Sequence, residues 1–164
     1  MIFVTVGSLD PFDRLIKGVD QWIAETSPKE KVFAQIGTGS YAPANCEAVR
    51  FLTPGRYREI FQESRLIVSH AGMGTIITAL ELLKPIIIMP KRANLGEQRN
   101  DHQLATVRHF RRSQQIIVAE TDEDLPKVLD QTLTSTFARK HDPRDAINYQ
   151  PDPGLMQFIR EFVS

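Results

Sequence analysis

The chain has 164 residues, with 20 Lys plus Arg balanced by 20 Asp plus Glu, so its formal net charge is zero. That length suits one domain with a real core, and the charge balance argues against a nucleic-acid binder, so any charged ligand has to be met by a local site. The single cysteine, Cys46, excludes an intrachain disulfide and a cysteine-rich zinc site; with no leader-like start and no apolar run near the roughly 20 residues that span a bilayer, a cytoplasmic protein is expected.

In chain order, Ile2 to Val6 reads as a buried strand ending at Gly7-Ser8. Asp10-Pro11 supplies a helix start, and Phe12, Leu15, Ile16, Val19 and Ile23 recur at helical spacing. Lys31 to Ile36 is a second strand, Glu47 to Leu52 a short third, and Tyr57 to Glu63 a short helix. Leu66 to Ser69 is another buried strand, then comes His70-Ala71-Gly72-Met73-Gly74-Thr75, with a helix from Thr75 to Leu83 closed by Lys84-Pro85. Ile86 to Met89 is apolar at every position, as in a parallel strand covered on both faces. A loop from Pro90 to Gly96, a helix from Asn100 to Phe110, a strand from Gln115 to Ala119 and a helix from Glu123 to Leu133 follow. This alternation predicts an α/β fold with a doubly wound parallel sheet and ligands at the carboxyl ends of the strands. From Thr134 to Pro153 the pattern turns polar, and Met156, Phe158, Ile159 and Phe162 mark a terminal helix; the expected division is a domain over 1–135 and a linker plus docked helix over 136–164.

The chemistry concentrates in three places. Ser69 to Thr75 takes a buried strand through two glycines straight into a helix, whose first N–H groups and dipole favour phosphate oxygens; Ser69, His70 and Thr75 add side-chain donors. The same glycines would also serve a plain tight turn. Leu95 to Gln103, after the apolar strand, is dense in amide and carboxylate groups suited to sugar hydroxyls, and also reads as a capped, solvated helix start; Glu97, Asp101 and His102 make only a sparse metal set. Gly7 and Ser8 lie at a third strand end and would close the phosphate site, or form a simple turn. A dinucleotide fingerprint fails, because Ile77 holds the third glycine position and the next strand ends in Pro90-Lys91 rather than an acidic residue. Gly37-Thr38-Gly39 runs into Pro43 without opening a helix, and no P-loop is present.

Phe3-Val4-Thr5-Val6-Gly7-Ser8, Ser69 to Thr75, Lys84-Pro85 and Asn100-Asp101-His102-Gln103, in this order, resemble the C-terminal domain of glycosyltransferase family 28 over roughly residues 1–135. The likeness is greatest to its short, split members: the catalytic subunit of the dolichol-pathway UDP-N-acetylglucosamine transferase, and bacterial exopolysaccharide and capsule subunits, some of glucuronosyltransferase type. The resemblance implies the Rossmann-like half of a GT-B fold, binding a UDP-sugar. Amides and a helix dipole aimed at the departing diphosphate can replace a metal, so no essential divalent cation or other cofactor is expected. It further implies a partner subunit that supplies the acceptor site, the catalytic base and the membrane anchor; a homo-oligomer is also compatible. Gly7, Ser8, Ser69, His70, Gly72, Met73, Gly74 and Thr75 would meet the diphosphate, and Glu97, Asn100, Asp101 and Gln103 the donor sugar. Thr78 stands where many relatives place a glutamate for the ribose, and Glu81 lies one turn further on. Two other readings remain: a nucleotide-binding subunit without catalysis, and an NAD-dependent α/β enzyme.

Overall fold

A computed structural model describes residues 1–110 and 116–138. The expected terminal helix, with Met156, Phe158, Ile159 and Phe162, lies outside them. The chain divides into two units, residues 1–130 and 131–164. Of the second, the described part is the end of a helix, where the Ser135 hydroxyl donates to the Thr132 carbonyl at 3.1 Å.

The first unit is a six-stranded, wholly parallel sheet: β1 (Ile2–Thr5), β2 (Val32–Gln35), β3 (Glu47–Val49), β4 (Leu66–His70), β5 (Ile86–Met89) and β6 (Ile116–Val118). Their order is β3-β2-β1-β4-β5-β6. The connecting helices are α1 (Asp13–Thr26), α2 (Pro54–Glu63), α3 (Met73–Glu81) and α4 (His102–Phe110), with α5 (Leu125–Ala138) after β6. This is the doubly wound α/β fold expected. Successive strands step one way from β1 to β3 and the other way from β4 to β6. Right-handed crossovers therefore diverge at the carboxyl ends of β1 and β4 and leave a crevice there.

The central strands are apolar on both sides because helices cover both faces. Ile86, Ile87, Ile88 and Met89 are wholly buried, as are Phe3 and Val4. Tyr57 and Phe61 of α2 set their rings edge-on or tilted against Phe3 and one another, with centroids 5.5–6.1 Å apart; such pairs add about 0.5–1.5 kcal/mol beyond burial. α1 meets α5 closely: a Cβ on Gly18 would stand 3.0 Å from Leu125 Cδ2, and the Trp22 indole donates to Asp130 at 2.9 Å.

Several element ends differ from the sequence expectation. α1 starts at Asp13, not beside Asp10-Pro11, since buried Phe12 stays outside helical geometry with its ring in the core. Trp22 is buried at the end of its apolar stripe, and Ile23 is only half-buried. α2 starts at Pro54, earlier than expected, because Thr53 caps it by accepting from the Arg56 amide at 3.3 Å. α3 begins at Met73, so Gly74 belongs to its first turn and not to the preceding loop. α4 begins at His102; the Asn100 side chain accepts from the His102 amide at 3.3 Å and holds the preceding residues out of the helix.

Asp20, on α1, is 3% exposed and anchors the loop before β3. Its carboxylate accepts from the Tyr41 hydroxyl at 2.6 Å, the Ala44 amide at 3.0 Å and the Asn45 amide at 2.8 Å. Burial alone would raise its pKa, but these donors outweigh burial and hold it below the usual carboxylate value. The stabilisation is therefore complete above the unfolded pKa of about 3.9 and disappears as pH falls through the lower folded value. Asp20→Ala is expected to lose about 2–4 kcal/mol at pH 7. Urea titrations below pH 4 should then show a smaller acid-induced loss in this variant than in the parent protein.

Candidate functional site

The crevice at the switch point is an open cleft of about 570 Å³, and its walls come from the carboxyl ends of β1, β2, β4 and β5. Thr5, Gly7, Ser8, Asp10, Gln35, Tyr57, His70, Gly74, Thr75, Thr78, Lys91, Gln98 and Gln103 are among the residues that line it.

The β1 side is shaped by Gly7, whose φ of +80° is a left-handed conformation that favours glycine. Gln35 fixes this turn by donating to the Gly7 carbonyl at 3.3 Å while accepting from the Thr5 hydroxyl at 2.5 Å. On the β4 side, α3 is preceded by Gly72, which has no side chain to cap the helix. The first-turn amides of Met73, Gly74 and Thr75 have no intrahelical acceptor, so the helix offers unpaired N–H groups and the positive end of its dipole. Gly74 and Thr75 line the cleft, and nothing stands within 4 Å of a Cβ placed on Gly74.

His70 joins the two sides. Its Nδ1 lies 3.1 Å from the Ser69 hydroxyl, and its ring fills a slot between Gly7 and Gly72. A Cβ on Gly72 would come within 2.1 Å of His70 Nε2. Its pKa is pushed down to about 4, first by burial, then by the nearby Lys91 ammonium, against a hydrogen bond to the Thr5 main chain. At neutral pH the ring is thus uncharged and carries a single N–H.

The residues expected from sequence separate into groups. Gly7, Ser8, His70, Gly74 and Thr75 line the cleft together. Ser69 is wholly buried and orients His70; Gly72 makes room for that ring; Met73 is 7% exposed in the core and is not among the lining residues. Gln103 lines the cleft, and its amide oxygen accepts from the Ala71 and Lys91 amides at 3.0 and 3.1 Å, tying the β4 and β5 loops together. Asn100 is exposed on an adjoining recess with Leu9, Asp10, Gln98 and Arg99. Asp101 is also exposed and accepts from the Ala93 amide at 3.1 Å. Glu97 departs from expectation: it is outside the lining, and both its oxygens are taken by Arg14 at 2.8 Å, with the Arg92 amide also at 2.8 Å. Glu97, Asp101 and His102 do not converge, and no group of three metal-ligating side chains forms among the described residues. Thr78 lines the cleft, with its hydroxyl donating to the Gly74 carbonyl at 2.9 Å, whereas Glu81 is exposed outside it.

Sequence reasoning did not single out Lys91, Tyr57, Gln35 or Gln98. Lys91 had a readable signal, as the first cation past an unbroken apolar strand. Gln35 and Tyr57 had none, because only strand order brings β2 and α2 to this edge.

Among the described residues no helix is long and apolar enough to cross a membrane. Comparison with curated protein sequences returned no match. Among solved structures, the crystal structure of Acinetobacter baumannii MurG aligns with a TM-score of 0.61 at 20% identity, covering 83% of this chain and 40% of that one. The glycotransferase of kitacinnamycin aligns with a TM-score of 0.57 at 19% identity, covering 79% and 34%. The solution structure of ALG13 aligns with a TM-score of 0.57 at 20% identity, covering 87% and 91%. The chain thus spans 40% or less of the two crystallised proteins, and these likenesses establish its fold as that of GT-B glycosyltransferase C-terminal domains. The sequence model of the glycosyltransferase family 28 C-terminal domain matches residues 1–151, and the chain belongs to that family.

Proposed function

We propose that the chain is the donor-binding half of a GT-B glycosyltransferase that moves a sugar from a UDP-sugar to a lipid-linked acceptor. A membrane-anchored partner subunit, in this reading, completes the site and holds the chain at the cytoplasmic membrane face. The observation that carries the proposal is the uncapped start of α3, which opens beside Gly7 into a large cleft at the topological switch point. Family membership supports a glycosyltransferase role and favours this reading over NAD-dependent chemistry. ALG13, of which this chain covers 91%, shows that a chain of similar extent can adopt the fold in solution.

The diphosphate lies against the amides of Gly74 and Thr75 and the turn at Gly7 and Ser8, and Gln103 faces the donor sugar with its amide nitrogen. In the transfer, the bond from the anomeric carbon to the diphosphate oxygen breaks as the acceptor oxygen attacks from the opposite face, with inversion. The acceptor proton passes to a base in the partner. Negative charge grows on the departing UDP, and amides already aimed at it stabilise the transition state more than the ground state. Uncharged His70 shapes the pocket and is held away from the role of acceptor base by its slot between two glycines.

The test is calorimetric titration with UDP, UDP-glucose, UDP-glucuronate, UDP-N-acetylglucosamine and NAD, repeated on Gly74→Val. The side chain added there points into open space, so the variant should melt within about 2 °C of the parent or above it, since valine is a slightly better helix former than glycine. UDP affinity should fall at least about tenfold, because the methyls stand where the phosphate approaches the backbone. Equal UDP affinity in the variant, or preference for NAD, overturns the proposal. Strong transferase turnover by this chain without any partner overturns the split site alone.

A further inference from the structure

An ammonium group is held in the cleft without a carboxylate against it. Lys91 follows β5, yet its Nζ donates to the Asp10 carbonyl at 2.6 Å, in the loop after β1. β4 lies between those two strands, so the lysine stem crosses the carboxyl end of β4 and sets its charge at the switch point beside His70. The residue is 3% exposed, and the Phe12 ring centre lies 5.7 Å from Nζ.

An ammonium carries three donors, and only one finds an acceptor among the described residues. Burial holds the group below the usual lysine pKa, opposed at longer range by Asp10 and Glu97. Arg14, a neighbouring half-buried cation, shows the contrast: Glu97 grips it through two hydrogen bonds of 2.8 Å. A desolvated cation with no carboxylate at ion-pair distance is costly. Here it faces a cleft whose other wall is the positive end of α3, so both features call for the same kind of ligand.

We propose that Lys91 is the fixed counter-ion for the second phosphate of a nucleoside diphosphate and gives the cleft its preference for a diphosphate over a monophosphate. The first-turn amides of α3 hold one phosphate and the ammonium holds the other. This rests on the nucleotide reading of the cleft and adds the residue that selects the length of the phosphate chain.

The test is titration of the full chain and of Lys91→Met with UDP, UMP, uridine and inorganic pyrophosphate, with melting curves alongside. UDP and pyrophosphate should each bind the variant at least about tenfold more weakly, the loss of a charge-assisted hydrogen bond, while UMP and uridine stay within about threefold. The unliganded melting temperature should hold or rise, since an uncompensated charge is gone from the interior. Lys91→Arg keeps the charge and should keep the preference; it carries the test if the methionine variant fails to fold. An unchanged ratio of UDP to UMP affinity, or equal weakening of both, overturns the role of Lys91 and leaves the nucleotide site standing. Lys91-dependent pyrophosphate binding by a protein that ignores uridine nucleotides overturns the nucleotide reading and keeps the anion role. Binding of none of the four probes overturns both.

Discussion

Gly72→Ala should dismantle the site while leaving most of the fold in place. The new methyl would sit 2.1 Å from His70 Nε2 and 2.7 Å from Cδ2, far inside contact distance. The ring cannot stay where it is, since its slot is bounded on the other side by Gly7 and its Nδ1 is held by Ser69. It has to swing out into the cleft, or α3 has to draw back from β4. Either movement spoils the alignment of the first-turn amides with the turn at Gly7. The expected cost is about 1–3 kcal/mol of stability, as for other overpacked sites, and at least about a tenfold loss of UDP affinity. His70→Ala separates ring from backbone. In that background the alanine at position 72 has nothing to strike, so a double-mutant cycle should return a coupling of about 1–3 kcal/mol. Additive effects would show that the backbone at the start of α3, and not the imidazole, requires glycine there.

Glu97→Ala should cost more stability than Gly72→Ala. Glu97 and Arg14 have side chains 10% and 15% exposed. They form a two-pronged pair, and Glu97 also accepts from the Arg92 amide. Removing the carboxylate leaves Arg14 half-buried, with a more distant, half-exposed partner in Asp122 at 3.4 Å. Breaking one side of a buried pair costs up to about 3–5 kcal/mol, or roughly 6–20 °C in melting temperature for a domain of this size. Thermal unfolding followed by circular dichroism measures it directly. Replacing both partners with apolar residues should recover part of the loss. The experiment also separates the two roles considered for Glu97. A residue that met the donor sugar would alter affinity for UDP-sugars relative to UDP and leave the melting curve unmoved. A loss below about 1 kcal/mol would mean the pair behaves as an exposed one.

The sequence and the structure agree where local pattern and tertiary demand coincide. The apolar runs at Ile2 and Ile86 became central strands because such runs bury well only between two helical layers. The turn from β4 into α3 was legible because glycines between a buried strand and a helix have few other uses. Disagreements fall where a long-range contact outweighs a local signal. Asp10-Pro11 has the form of a helix start, yet Phe12 is drawn into the core and moves the start to Asp13. Glu97 sits in a loop suited to sugar recognition, yet Arg14, far earlier in the chain, claims its carboxylate.

By itself, then, the sequence determined the alternation of strands and helices, the apolar strands that become the middle of the sheet, and the glycine-bearing turn at the head of α3. Each of these follows from side-chain size, polarity and spacing along a few consecutive residues. Only the tertiary structure decided that β1 and β4 are neighbours and that Lys91 reaches across to the loop after β1. It also decided that Gln35 and Tyr57 share the cleft with Gly74, and that Glu97 pairs with Arg14. Those facts depend on which distant segments meet once the sheet is assembled, and no local pattern records that.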